Sequence, residues 1–220
     1  MKYKIIGQTV PAVECELACG ESMFTQSGGM IWHTDGITMS TESCSFGRIF
    51  TGESVFMTNY TARRRGTIAF GATVPGSIVP VDVSRSSVIC QKGAFLCAEQ
   101  TVNLKVEFTK RFYTGLFGGE GFILQRIYGR RGMAFLEVDG DAIERNLSDG
   151  EVIKVSNGNV VAFDTSVKYE IEAVRGIKNT LFSGEGFYLA RLVGPGRVII
   201  QTQNFNDFSN KIISKIPSDK

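Results

Sequence analysis

The chain has little proline, histidine or tryptophan and almost no excess of charge of one sign. Its 220 residues include 5 prolines, one histidine (His33) and one tryptophan (Trp32), and the formal net charge is +2. This balance excludes the strongly basic class of nucleic-acid-binding proteins and an acidic tail, although it leaves a local basic patch open. Because His33 has no partner acid or nucleophile in a recognisable motif, we expect a protein that is not an enzyme and holds no cofactor.

The sequence also lacks a hydrophobic run long enough to cross a membrane or to direct export. Residues Met1–Gly7 do not resemble a signal peptide, and glycine and proline interrupt the longest uncharged stretch, Gly66–Val81. The odd number of cysteines, 5, then indicates reduced thiols and a cytoplasmic protein. Only Cys15 and Cys19 form a close pair, whereas a structural zinc site usually needs two. We therefore expect no metal and interpret the cysteines as small hydrophobic core residues.

An internal repeat with a period of about 65 residues organises the chain. The residues that recur are Glu21/Ser86/Glu151, Met23/Val88/Ile153, Gly28/Gly93/Gly158, Met30–Trp32/Phe95–Cys97/Val160–Ala162, Ile37/Val102/Val167 and Met39/Leu104/Tyr169. A second signature, Phe-x-Gly-Glu followed by a small residue, begins at Phe50, Phe117 and Phe182. Two signatures in one register predict three similar units, at about 14–80, 81–146 and 147–211, in a single compact domain spanning 1–220.

Each unit has the apolar pattern of short β-strands. The segment Thr101–Phe108 alternates between apolar and polar residues, as a strand with one buried face does. Turn signals recur every eight to twelve residues or so, which is typical of sandwiches and barrels. A glycine opens a further strand in each unit, at Gly66, Gly132 and Gly196. We predict an all-β fold of three similar antiparallel units in a pseudo-threefold sandwich or barrel arrangement.

Only the C-terminal segment has helical spacing. Its apolar residues are Phe205, Phe208, Ile212, Ile213 and Ile216. Asn204, Asn206 and Asp207 are candidate N-caps, and Pro217 lies just beyond the expected end. The pattern predicts a short amphipathic helix at about 206–216 that closes the fold.

Arginines cluster at the turn before the glycine in the first two units. These candidate binding residues are Arg63, Arg64, Arg65, Arg130 and Arg131. On one rim, such turns would form a basic surface for the phosphates of RNA or of a membrane. Alternatively, they are solvated tips that prevent edge-to-edge association. The small net charge favours the second interpretation.

Two apolar turns are further candidates for a binding surface. Phe117 and Phe182 each follow a leucine and stand beside flexible glycines. Exposed, these pairs would form a subunit or membrane contact, because contiguous apolar patches mark such sites. Alternatively, each pair fills the core of its own unit, and the sequence favours neither interpretation.

Gly-Glu pairs recur at turns, and they are Gly20–Glu21, Gly52–Glu53, Gly119–Glu120, Gly150–Glu151 and Gly184–Glu185. Carboxylates gathered from several turns would bind a cation or another small ligand. Alternatively, glycine supplies a positive φ and glutamate accepts hydrogen bonds from the turn amides. We favour turn chemistry, because a turn needs nothing beyond these residue types.

Several of these motifs together resemble the altered-inheritance-of-mitochondria (mitochondrial biogenesis) family over nearly the whole chain. The segments that carry the resemblance are Leu17–Phe24, Gly28–Met30, Gly66–Val81, Phe117–Phe122 and Phe182–Phe187. The resemblance implies a fold like that of the trp RNA-binding attenuation protein (TRAP-like), with compact antiparallel β units about a pseudo-threefold axis. It brings no agreed catalytic residue. The absence of a transit peptide favours the bacterial, largely uncharacterised type.

These observations favour a non-enzymatic binding or scaffolding protein. We expect a homo-oligomer, such as a trimer, that engages a protein partner or a membrane surface. Nucleic-acid binding through the arginine turns is the first alternative, and small-molecule or sugar binding is the second. Fold likeness alone carries no function, so these alternatives need structural evidence.

Overall fold

The computed structural model describes residues 1–26, 28–43, 56–110, 122–173 and 188–216. The strands in these ranges are β1 (Lys2–Ile6), β2 (Ala12–Leu17), β3 (Ser22–Thr25), β4 (Met30–His33), β5 (Ile37–Ser43), β6 (Phe56–Ala62), β7 (Gly66–Gly71), β8 (Gly76–Asp82), β9 (Val88–Gln91), β10 (Phe95–Glu99), β11 (Asn103–Lys110), β12 (Phe122–Tyr128), β13 (Met133–Asp139), β14 (Ala142–Leu147), β15 (Val152–Ser156), β16 (Val160–Asp164), β17 (Lys168–Ala173), β18 (Tyr188–Val193) and β19 (Gly196–Gln201). Two 3₁₀ turns (Lys92–Ala94 and Asn157–Asn159) and one helix, α1 (Phe205–Ile213), complete the described elements. The predicted all-β fold class with a short C-terminal helix is confirmed.

Alternation of apolar and polar residues explains why these segments form strands. In β2, Val13, Cys15 and Leu17 are buried, and the glutamates between them lie on the other face. Successive side chains of an extended strand leave opposite faces, so this spacing buries one row of residues. The strand predicted at Thr101–Phe108 is observed as β11.

The strands pair in a pattern that recurs along the chain. We call β2–β7 group 1, β8–β13 group 2 and β14–β19 group 3. In every group the sixth strand pairs with the first and the third, and the fifth strand pairs with the second and the fourth. All of these pairs are antiparallel. The threefold axis, the boundaries of the predicted units and the TRAP-like arrangement stay predictions.

Two further strand pairs join neighbouring groups, and we call them junctions. The second strand of one group pairs with the third strand of the next, as β3·β10 and β9·β16. The sheets therefore have the orders β1-β2-β7-β4, β5-β6-β3-β10-β13-β8, β11-β12-β9-β16-β19-β14 and β15-β18-β17. Each six-stranded sheet takes half of its strands from one group and half from the next.

The hydrophobic core continues across the junctions. Leu96, Cys97 and Phe135 of group 2 pack into the core of group 1. Val161 and Ala162 of group 3 likewise pack into the core of group 2. The shared sheets consequently bury residues on both faces, as sheets covered on two sides do.

Helix α1 forms where it was predicted, but it does not close the fold. The Asn204 side chain caps it by accepting a hydrogen bond from the Asn206 N–H at 2.9 Å. The helix is tied to the sheets at its first residue, where the Phe205 N–H donates to Asp139 Oδ2 at 2.8 Å. No residue of the helix is buried. The prediction that the helix closes the fold is therefore wrong, because the helix is attached through its first residue and none of its side chains is buried.

A polar side chain at the end of each third strand, or directly after it, holds the start of the sixth strand of the same group. The three hydrogen bonds run from Thr67 N–H to Thr34 Oγ1 (2.9 Å), from Met133 N–H to Glu99 Oε2 (2.6 Å) and from Arg197 N–H to Asp164 Oδ2 (2.9 Å). The acceptors follow the 65-residue spacing. Each replaces a backbone acceptor that the strand end lacks.

The glycines predicted to open the sixth strands lie against a hydroxyl group. A Cβ atom would lie 2.5 Å from Thr34 Oγ1 at Gly66, 2.5 Å from Thr101 Oγ1 at Gly132 and 2.6 Å from Ser166 Oγ at Gly196. Contacts this short leave no room for a side chain. Gly132 and Gly196 also have positive φ values, of 123° and 139°, which favour glycine.

We expect Gly132→Ala to lower the free energy of unfolding by about 1–3 kcal/mol, because alanine is strained at positive φ and its Cβ meets Thr101 Oγ1. The matched control is Gly93→Ala, since a Cβ atom there meets nothing within 4 Å. Urea unfolding of both variants measures the difference. Equal stabilities would contradict the assigned role of Gly132.

Candidate functional site

The arginine turn of group 1 carries its own counter-charges. Arg64 forms an ion pair with the Asp35 carboxylate, and Arg65 contacts Glu16 Oε2 at 2.9 Å. The hydrogen bond from Arg65 lowers the pKa of the Glu16 carboxyl. These four residues and Thr34 take part in lining an open cleft of about 560 Å³. Two of the three candidate arginines in this turn thus have an acidic partner nearby, which weakens the case for a phosphate site in group 1.

The arginines of group 2 have a different environment. Arg130 and Arg131 are exposed in the turn between β12 and β13, and within the described ranges neither forms an ion pair. The third arginine of the group 1 turn is Arg63, whose backbone carbonyl accepts a hydrogen bond from Cys19 Sγ at 3.0 Å.

The two arginine clusters occupy equivalent turns, each between the fifth and sixth strands of its group. Their position on a common rim stays a prediction.

The predicted apolar turns are not among the described residues. Phe117 and Phe182 lie outside the described residues, as does the whole Phe-x-Gly-Glu signature.

The turn chemistry is confirmed for two Gly-Glu pairs. Glu21 Oε2 accepts a hydrogen bond from the Ala18 N–H, and Glu151 Oε2 accepts one from the Ser148 N–H, both at 2.8 Å. In the part of the chain that the structure describes, no three histidine, cysteine or acidic side chains are grouped to hold a metal ion.

Buried thiols account for most of the described cysteines. Cys15, Cys90 and Cys97 are buried, so the interpretation as core residues is confirmed for them. Burial raises the pKa of the Cys15 and Cys90 thiols to about 12 and also raises that of Cys97. The interpretation is wrong for Cys19, which is exposed in the turn after β2, because its polar turn offers no core to enter. Cys44 lies outside the described residues.

Two exposed apolar surfaces form the best candidate for a functional site. The first is the apolar side of helix α1 and the turn after it, where Phe205, Phe208, Ile212, Ile213 and Ile216 are 45–63% exposed. The second is strand β4, where Ile31 and Trp32 are exposed. No helix among the described residues is long and apolar enough to span a membrane.

Neither apolar surface was identified as a site from the sequence. The helix was predicted to close the fold, because periodicity alone does not say what an apolar face packs against. Strand β4 was aligned with buried strands of the other units. The available signal was a change of size at one repeat position, from Cys97 and Ala162 to the bulky Trp32.

We expect that one thiol of the folded Cys44→Ser variant reacts rapidly with a disulfide reagent at pH 8. Cys19 is exposed, whereas the other three thiols are buried and stay protonated far above this pH. Thiol titration with and without denaturant measures the reactive number. The control is Cys19→Ser/Cys44→Ser, in which the folded protein should not react. Rapid reaction of a further thiol would contradict this assignment.

Comparison with known proteins agrees with the fold. The family model described as Mitochondrial biogenesis AIM24 matches residues 3–203. A protein of Streptococcus pyogenes serotype M6, described as uncharacterized, is 26% identical over an alignment of 221 positions that covers 94% of this chain and 88% of that protein. The crystal structure of a Streptococcus pyogenes protein has a TM-score of 0.81 at 25% identity and covers 98% of this chain and 99% of its own.

The match extends over nearly all of the sequence, and the similar proteins are bacterial and uncharacterised. The resemblance drawn from the sequence motifs is therefore confirmed. Neither the family description nor the similar proteins assign a reaction or a ligand to these residues. The chain belongs to the Mitochondrial biogenesis AIM24 family.

Proposed function

We propose that this protein is a non-enzymatic scaffold, a homo-oligomer that engages a membrane surface through helix α1. The observation that carries the proposal is the exposed apolar side of this helix. Phe205, Phe208 and Ile212 follow one another at helical spacing, and each is close to half exposed. A surface helix of a protein in water normally turns such residues toward its core.

The charges around the helix favour an anionic lipid surface. Lys211 and Lys215 belong to the last turn and the residues after it, next to the apolar side. Amphipathic helices that combine apolar residues with flanking lysines bind in the interface of anionic membranes. The fixed beginning of the helix, at the Phe205–Asp139 hydrogen bond, leaves the remaining turns free to lie on such a surface.

A single helix of this length binds a membrane weakly, which is why we include the homo-oligomer. Burying one large apolar side chain contributes about 1.5–3 kcal/mol, and α1 spans only nine residues. Several copies held together raise the overall affinity without any new contact, because later binding events become intramolecular. Scaffolding and lipid contact thus support each other in this proposal.

We expect Ile212→Glu to weaken vesicle binding by about tenfold or more, because it places a carboxylate on the lipid-facing side of α1. Co-sedimentation with phosphatidylcholine vesicles, with and without phosphatidylserine, measures binding. The matched control is Asn210→Glu, which adds the same charge on the polar side of the same helix. Equal binding by both variants and the unaltered protein, or no binding at all, would overturn the lipid contact.

Nucleic-acid binding is a second candidate, and the exposed pair Arg130 and Arg131 favours it. Unlike Arg64 and Arg65, these side chains form no ion pair within the described ranges, so their charges are available to phosphates. The small net charge provides little long-range attraction. For that reason we place this candidate second.

We expect any RNA affinity to weaken with added salt and to fall in the variant Arg130→Ala/Arg131→Ala. Arg64→Ala/Arg65→Ala is the matched control, because those arginines are already engaged by acidic side chains. Fluorescence anisotropy with single-stranded RNA at several salt concentrations measures the effect. Absence of binding at low salt would eliminate this candidate.

A further inference from the structure

Within the described ranges, two strands lack a partner that their equivalents in the other groups have. The second strands of groups 1 and 2 pair with the third strand of the following group, as β3·β10 and β9·β16. The second strand of group 3 is β15, and the third strand of group 1 is β4. Each lies at the edge of its sheet. The chain therefore carries the two halves of a third junction at its opposite ends.

The residues of β4 are more exposed than their equivalents in the other groups, as expected for a strand without a partner. Ile31 and Trp32 are 57% and 39% exposed. Their equivalents in group 2, Leu96 and Cys97, are 3% and 0% exposed, and those in group 3, Val161 and Ala162, are 1% and 0% exposed. All three strands have the same register irregularity against the sixth strand. The backbone is thus alike, and what differs is the partner strand.

The β15 side changes in the same direction. Met23 and Val88, at one repeat position, are 0% and 1% exposed, whereas the equivalent Ile153 is only partly buried. Val155 is likewise partly buried, although the equivalent Cys90 is fully buried. Both edges consequently present apolar residues that the internal junctions cover.

The other edge strands do not share this property. The fourth strands β5, β11 and β17 are edges in all three groups. The first strands β8 and β14 are edges too, whereas β2 gains the additional strand β1 as a partner. Among the described strands, β4 and β15 are the ones that lack a partner which both of their equivalents have.

We propose that β15 of one copy pairs antiparallel with β4 of a second copy, in the register of the internal junctions. Those junctions place Phe24 opposite Ala98 and Ile89 opposite Phe163. Carrying the 65-residue spacing to the free strands places Lys154 opposite His33. Trp32 then lies opposite Val155, and Thr34 lies opposite Ile153.

This third junction differs from the internal ones in one chemical respect. Its central pair is Lys154 and His33, which are both polar. The equivalent pair is apolar in each internal junction, Phe24 with Ala98 and Ile89 with Phe163. Lys154 is paired with Glu172 Oε2 at 2.8 Å in the same chain. Polar residues on an edge strand limit uncontrolled pairing, so a specific register with reversible association is the expected result.

The contact joins two different surfaces, because β4 belongs to group 1 and β15 to group 3. In a dimer joined by this contact, one β4 and one β15 stay unpaired. Further copies can pair with them, so the contact builds either a closed ring or a chain of copies. The inference rests on the proposed scaffold and identifies its partner strand. It needs no lipid, so its test is independent of the vesicle experiment.

The single tryptophan makes assembly measurable without a label. We expect Trp32 emission to move to shorter wavelength as protein concentration rises and the indole is buried, together with an increase in mass by light scattering. Ile31→Asp should abolish both changes, because it places a charge in the junction. Met39→Asp is the matched control, since Met39 is 60% exposed on the edge strand β5. A mass that stays monomeric, or equal loss in both variants, would overturn the proposal.

Cysteine cross-linking tests the register and the direction of the contact. Opposite residues of an antiparallel pair have Cα atoms about 4.5–5.5 Å apart, a spacing that suits a disulfide. In a Cys19→Ser/Cys44→Ser background, His33→Cys and Lys154→Cys proteins should each stay uncross-linked alone. Mixed under oxidising conditions, they should form a covalent dimer. The protein with both substitutions should form a ladder or a closed ring, and Met39→Cys mixed with Lys154→Cys should form none.

Each contrary outcome separates the proposals. A disulfide within one chain of the doubly substituted protein would mean that β4 and β15 pair internally, which overturns the second copy as partner. Multimers without the expected cross-link would overturn this junction but leave the oligomeric scaffold standing. Vesicle binding that depends on Ile212 in a strictly monomeric protein would retain the lipid contact and remove the junction.

Discussion

The antiparallel pairing between groups is the interaction on which the rest of the structure depends. At β3·β10 and β9·β16, strands from two groups become one sheet. Leu96 and Val161 can then enter the core of the preceding group. A small group of six strands leaves much surface exposed, so this sharing supplies the burial that each group lacks. Strand β4 has no such partner strand within the described ranges, and its residues at the equivalent positions are exposed.

Much of the fold could be predicted from the sequence, because its causes are local. Alternation identified the strands, and the recurring glycines marked the turns before β7, β13 and β19. The acceptor positions Thr34, Glu99 and Asp164 also follow the repeat spacing, but their differing side chains concealed their common role. Pairing between groups involves strands far apart in the chain. No local pattern shows which strand is the neighbour of β3.

The candidate site was less predictable, because the exposure of a residue depends on whether another strand packs over it. Trp32 and Cys97 occupy the same place in the repeat, yet one is exposed and the other buried. The arginine turns were found from their position before the repeat glycines, whereas the pairing of Arg64 with Asp35 and of Arg65 with Glu16 depends on the fold. Periodicity gave α1 correctly as a helix. It did not say that the apolar side of the helix would be exposed.

The shared sheets have a consequence for how the chain unfolds. In many repeat proteins the stability is a sum of separate units, and one end can melt while the other persists. Here a group cannot open without taking strands from a sheet of its neighbour and residues from the neighbour's core. Neighbouring groups are therefore coupled energetically through shared sheets and shared cores. Despite its repetitive sequence, the chain should melt as a single cooperative body.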